Sequence, residues 1–367
     1  MEASYVTRKN QWLTACQIAP EIFDQVMPRL HPFLEPFVDP LCGQALPQHA
    51  RPDVCGLLSD VERKNVASIA SRFGHERLPL QRFIGWADGE DTPVRQELLH
   101  PVAHPVGHDD GVLVFDPSAF ATSGTESVGV ARPWCGRRGK VDHGQVALSL
   151  GDVSAKGHTR VDMRLSLPKA WPHDTTRLDQ AGVPPAHRGY RPRHPLALGR
   201  LEKHGASRPH GWMAGEDEMG RPYGLRRRLA RWGERSMLAV PSHTVMRDLE
   251  TPVPQDSGRG RRLQRPWHRV EAWRAARTDG AGKRLDVRDG STGPLVVDVV
   301  KRRVVARTPR RQQGDEELVV VLRDRDRDHQ QVVQVACSLS NAEPGTPLWQ
   351  VARVAKAEHR IEEGLDV

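Results

Sequence analysis

The sequence predicts a mixed α/β protein with three parts. These are a helical N-terminal region, a core sheet of parallel and antiparallel strands, and a β-rich subdomain inserted into that core. Three observations carry this. Apolar residues recur at spacings of three and four up to about residue 105. Short β-branched runs take over from about residue 108, first as neighbours and then alternating with helix-like segments. Further β-rich runs separated by turn signals lie between residues 293 and 340.

In chain order, "EIFDQVMPRLHPFLEPF" and "CGLLSDVERKNVASIASRFG" have the spacing of amphipathic helices within residues 1–105. In the second, Ser59 stands three residues before Glu62, the pattern of a capping box. The core then begins (106–242). "GVLVFD", "SVGVARPW", "QVALSLGDV" and "VDMRLSLP" read as a strand meander. "PLALGRLEKHGA" reads as a helix, "GWMAGEDEMG" as a short strand ending in acids, "GLRRRLARWG" as a basic helix and "SMLAVPS" as another strand. Residues 243–335 read as the insertion: a Pro-, Gly- and Arg-rich loop, then the β-rich runs "GPLVVDVVKRRVVART", "EELVVVLRD" and "QVVQVACSLS". The alternating charges of "RDRDRDHQQ" suit a solvated hairpin tip. Residues 336–367 return to the core and end in one helix carrying Glu358, Glu362 and Glu363.

Lysine and arginine number 54 against 46 acids, a formal charge of +8. A polyanionic partner, nucleic acid first, fits that balance, as does a basic surface that merely keeps the protein soluble. Arg63 and Lys64, and the loop residues Arg259, Arg261 and Arg262, are the candidate phosphate contacts. The five cysteines form no CxxC pair, so neither a zinc site nor a disulfide framework is indicated. With no apolar run long enough to span a membrane and no signal-peptide core, the expected location is intracellular. Neither a P-loop nor a strand-following G-x-G-x-x-G is present, and "SGTES" is not a nucleophile elbow.

The acids carry the remaining chemistry. Asp116 closes the apolar run "GVLVFD", and one acid of Glu216, Asp217 and Glu218 closes "GWMAG". A third acidic cluster lies on the terminal helix. An acid after a strand is also a common start to a turn. If three carboxylates gather at the carboxyl ends of strands, a divalent cation relieves their repulsion, and oxygen ligands suit Mg²⁺ or Mn²⁺. Two such ions about 4 Å apart can clamp the attacking and leaving oxygens of a phosphodiester. His204 and His210, near Asp217 in the sequence, rank lower as ligands.

Specific stretches go further. "GLLSDVERKNVASIA", "GVLVFDPSAF", "GTESVGVARPWCGRRGKVDHGQVALSLGDVS", "RLSLPKAW", "GWMAGEDEMG", "LAVPS", "PLVVDVVKRRVVART" and "VARVAKAEHRIEE" occur in an order similar to the IS701-type insertion-sequence transposases of bacteria. Those belong to the DDE superfamily and have a ribonuclease-H-like core. The resemblance implies catalytic, metal-binding roles for Asp116, Asp217 and Glu362, with two Mg²⁺ (or Mn²⁺) ions. It implies transposon terminal inverted repeats and target DNA as partners, two copies in a synaptic complex, and a cytoplasmic, nucleoid-associated protein. It also implies a lysine seven residues after Glu362, beyond Val367, and hence a truncated chain. Two alternatives follow: a catalytically inactive transposase remnant that binds DNA, or a domesticated DNA-binding regulator.

Overall fold

In a computed structural model, the chain divides into two compact units, residues 1–101 and 102–367. The structure describes residues 14, 19, 21, 25–41, 43, 45–59, 61–86, 92–135, 139–255, 264–277, 282–290, 293–326 and 331–363. The candidate DNA contacts Arg259, Arg261 and Arg262 lie outside these.

The first unit is helical. Helices α1 (Val26–Val38) and α2 (Ala45–Leu58) bury Leu34, Val38 and Ala50 together and are tied by an Arg51–Glu35 ion pair at 2.6 Å. Helices α3 (Val66–Phe73) and α4 (Arg77–Trp86) close a second small core around Ile69 and Leu80. The amphipathic pattern expected to run as one helix over 55–74 is broken between Leu58 and Val66. Ser59 is not the cap: its hydroxyl turns back to the Gly56 carbonyl at 2.8 Å. The cap is Asn65, whose side chain accepts from the Ser68 N–H at 3.0 Å. Gly74, at φ 65°, ends the helix in the left-handed conformation that glycine adopts without strain. Helix α5 (Thr92–Val106) crosses the boundary between the units.

The second unit is built on one sheet. Its first half comprises β1 (Val112–Ala121), β4 (Gly144–Ser154), β5 (Gly157–Ser166), β6 (Trp212–Gly215) and β7 (Ser236–Ala239), in the order β5-β4-β1-β6-β7. Pairings β1–β4 and β4–β5 are antiparallel, while β1–β6 and β6–β7 are parallel. Three antiparallel strands followed by two parallel ones is the ribonuclease-H-like arrangement. Helix α6 (Thr175–Gln180) precedes α7 (Arg193–His204), which packs on β4 and β5; α8 (Asp217–Gly220) and α9 (Tyr223–Arg231) bridge β6 to β7. The run expected as a strand over 127–134 is mostly a turn. Gly129 is at φ 76° and Val130 N–H bonds back to Ser127, leaving only a two-strand ladder of β2 (Trp134–Cys135) and β3 (Lys140–Val141).

Residues 243–335 contribute β8 (Val245–Asp248), β9 (His268–Arg269), α10 (Val270–Ala275), β10 (Lys283–Gly290), β11 (Gly293–Arg307), β12 (Gln313–Arg325) and the start of β13 (Val332–Ser340). These do not stand apart as a sheet of their own. Ser338, Leu339 and Ser340 pair with Ala239, Leu238 and Met237, so β13-β12-β11-β8-β9 extends the core sheet from β7.

The terminal segment, expected as one helix, forms two: α11 (Leu348–Ala355) and α12 (Ala357–Glu363). They part at Lys356, whose ammonium reaches Asp324 Oδ2 at 2.5 Å. Val351, Val354 and Ile361 from these helices are buried with Val112, Val114, Trp212 and Ala214. Alternation along a strand places every second residue on one face, so the side of β1 bearing Val112, Val114 and Asp116 faces these helices. No helix among the described residues is long and apolar enough to cross a membrane.

Candidate active site

Asp116 is only 2% exposed and lies within β1, not at its end, because the strand continues to Ala121. A buried carboxylate requires compensation, and three donors meet its Oδ2. Ser118 Oγ lies at 2.7 Å, Ser149 Oγ (on the facing residue of β4) at 3.3 Å, and Arg160 Nη2 (on β5) at 3.2 Å. Oδ1 receives no hydrogen bond among the described residues.

Arg160 reaches Asp116 across β4. Its partner in the ladder there is Gly151, which has no side chain to stand between them, and a register shift in β5 gives that pairing. The same guanidinium nitrogen donates to the Ile361 carbonyl at 2.8 Å. Ile361 immediately precedes Glu362 on α12, so one cation joins the central acid to the terminal helix. Gly151 also lets α12 lie close against β4: a Cβ there would stand 2.5 Å from Ile361 Cδ1.

Asp217, the second expected acid, follows the last ladder pair of β6 by two residues. Phe115 pairs with Gly215 in parallel register, where the ladder and β6 end, and the next residue in each chain segment is an acid, Asp116 in β1 and Glu216 after β6. The Glu216 backbone is still extended, and by strand alternation it shares the face of Trp212, Ala214 and Asp116. Asp217 starts α8 instead; it is exposed and lies 3.1 Å from Arg221 on the next turn. Glu218 pairs with Arg193 of α7.

Glu362 lies in α12, and its side chain is outside the description. Among the described residues no three His, Cys, Asp or Glu side chains gather as a metal site. His204 and His210 are not ligand candidates. His204 Nε2 lies 2.8 Å from Asp162 Oδ2, which Arg200 also meets at 2.8 Å, pinning α7 to β5. Burial would raise the Asp162 carboxyl, but these two partners outweigh it and hold it well below the usual carboxylate range. His210 Nε2 lies 3.1 Å from Glu234. Burial lowers His210, yet Glu234 and the Arg208 carbonyl prevail and its pKa is raised. Of the basic candidates, Arg63 and Lys64 are exposed, with the Lys64 ammonium turned to the Ser59 carbonyl.

The donor set suits a hard cation. A buried carboxylate with one oxygen lacking a donor among the described residues, and a second acid just past the end of the next strand, describe a place where positive charge is stabilised, as the Arg160 guanidinium on Asp116 already shows. Arg160 and Ser149 escaped the sequence reading because each meets Asp116 only through strand pairing, while Ser118 lies two residues along the same strand, where alternation alone places it on the same face. The period-two pattern of β1 and β6 allowed Glu216 as an alternative but did not supply the register that favours it.

The strand order and the helices that cover it define a ribonuclease-H-like fold. A family profile described as DDE superfamily endonuclease matches residues 44–294, about two-thirds of the chain, and the chain belongs to that family. The match includes Asp116 and residues 216–217 and ends before Glu362. No curated protein matches the sequence.

Proposed function

We propose that the chain is a transposase of the IS701 type, which cuts DNA at transposon ends and joins the freed 3′ ends to target DNA. The observation that supports this most is the parallel register of β1 and β6, in which Phe115 faces Gly215. It sets the buried Asp116 and the acid that follows β6, Glu216, one residue past the same ladder pair, on the face covered by the helix that carries Glu362. Asp116, Glu362 and one acid of the Glu216–Asp217 pair are the proposed ligands of Mg²⁺ or Mn²⁺. Register favours Glu216, and the family resemblance favours Asp217. Bound cations supply an activated water and stabilise the departing oxygen. The protein's own part is orientation: Ser118, Ser149 and Arg160 fix Oδ2 of Asp116, leaving Oδ1 to face a cation. Two copies in a synaptic complex, Arg63 and Lys64 on phosphates, and a nucleoid location belong to the same reading.

The test is cleavage of supercoiled DNA carrying transposon ends, with Mg²⁺ or Mn²⁺. Asp116→Asn should lower the rate by at least about 10³-fold, equivalent to ~4 kcal/mol of transition-state stabilisation. Glu216→Gln should cost more than Asp217→Asn. Undiminished cleavage by Asp116→Asn would reject the site.

A further inference from the structure

Beside the acids, the second unit has a cavity of about 450 Å³. Its walls come from the 129–133 turn, the end of β5, the segment leading into α7, and α8 with the residue after it. Glu218, paired with Arg193, and Arg221, paired with Asp217, line one wall, so the cavity reaches the residues that flank Asp217.

Its charge sets it apart. Most buried or half-buried arginines of this unit are neutralised: Arg160, Arg200, Arg208, Arg226 and Arg277 each lie within ion-pair distance of a carboxylate. The cavity's Arg132, Lys169 and Arg191 are exposed and meet no carboxylate among the described residues. Each of these cations has a proline neighbour in the chain, Pro133, Pro168 and Pro192, which restricts the backbone that carries it. Uncompensated positive charge on a restrained, concave rim suits a phosphate. Tyr190 adds a different chemistry: its ring is 40% exposed, and the Lys169 ammonium lies 5.4 Å from its centroid. An aromatic face beside cations is the pairing that holds an unstacked base and its phosphate. The volume falls within the roughly 300–1,000 Å³ of pockets that hold small organic ligands, and a duplex is far too broad to enter.

We propose that this cavity holds one unpaired nucleotide of bound DNA, its phosphates on Arg132, Lys169 and Arg191 and its base against Tyr190. The proposal rests on the reading of the chain as a DNA-acting enzyme for its ligand but not on cleavage. Extrusion of a nucleotide next to the acids would open the duplex where a strand must be cut.

The experiment measures binding of the full chain in EDTA, so that no cleavage enters. The probes are a matched duplex, the same duplex with one unpaired 2-aminopurine, and free deoxyadenosine monophosphate. Wild type should bind the unpaired probe about ten-fold more tightly than the matched one and change its fluorescence. Tyr190→Ala should abolish that preference and Tyr190→Phe keep it, with unchanged melting temperatures. Arg132→Ala with Arg191→Ala should weaken the unpaired probe most and flatten its salt dependence. Equal affinity for both duplexes, or a preference that survives Tyr190→Ala, would overturn the proposal. Free nucleotide binding as tightly as the unpaired probe would also overturn it, by assigning the cavity to a small metabolite. If no cleavage is found under any condition while the Tyr190-dependent preference persists, the nuclease reading fails and the cavity assignment stands.

Discussion

Arg160 does at residue scale what a bound cation would do: it neutralises a carboxylate that burial would otherwise leave uncompensated. Removing one member of a buried ion pair is costly, but Arg160 is partly exposed and two serine hydroxyls remain on Asp116. Arg160→Ala should therefore lower stability in EDTA by about 1–3 kcal/mol. Added Mg²⁺ should then raise the melting temperature more in the variant than in wild type; equal shifts would show that the guanidinium and the metal do not share Asp116. His210 offers a pH test. Its pKa is raised in the folded chain by Glu234, so its protonated form stabilises the fold. That contribution is complete below its ordinary value of about 6.5 and is lost as pH rises through the higher folded value. The stability gap between wild type and His210→Gln should thus be widest in mild acid and shrink above neutrality, as read by denaturant unfolding across pH. A gap independent of pH would rule out the His210–Glu234 ion pair as its source.

At the scale of elements, two glycines set how closely helices approach the sheet, and they should fail differently. A Cβ on Gly220 would stand 1.8 Å from the Ala239 carbonyl oxygen, backbone of β7 that cannot yield. Gly220→Ala should cost about 3 kcal/mol or more in denaturant unfolding. A Cβ on Gly151 would meet the Ile361 side chain, at 2.5 Å from Cδ1 and 2.7 Å from Cγ1, and no backbone among its three nearest atoms, so α12 gives way and the sheet does not. Gly151→Ala should change global stability by less than about 1 kcal/mol. Amide exchange over residues 357–363 should accelerate and cleavage should fall; unchanged exchange would mean that α12 tolerates the methyl. Elements were legible wherever the pattern was local. The apolar runs of β1, β4 and β6 and the spacing in α7 and α9 carry their own signal. The misreadings are places where one residue overrides a pattern. Gly129 turns the chain inside "SVGVARPW", Asn65 restarts a helix within an apparently continuous stripe, and the backbone of Lys356, at φ −99° and ψ 0°, parts the last helix in two. Which acid stands beside Asp116 was not legible, because it depends on the register of two strands nearly a hundred residues apart in the chain.

At the scale of the whole molecule, the sheet, its covering helices and the candidate site all lie in residues 102–367, and the helical residues 1–101 have cores of their own. The formal charge of +8 gives the chain a general attraction to DNA that salt should screen. If about four phosphates are neutralised, affinity should fall roughly a hundred-fold between about 50 and 200 mM salt. A flat salt response would remove DNA as the partner of the basic surface. The sheet's extension past β7 was not legible, because nothing in β13 itself names its neighbour and the β-rich runs read equally well as a unit of their own. The hydrogen bond from Arg160 to the Ile361 carbonyl spans 201 positions of the chain. On the ribosome, β1 emerges long before residue 361 exists, so Asp116 is made early and held without the helix that completes its surroundings. A cleavage centre of the kind proposed above, which needs both β1 and α12, closes only once residue 361 has emerged, so synthesis of β1 by itself releases no cutting activity.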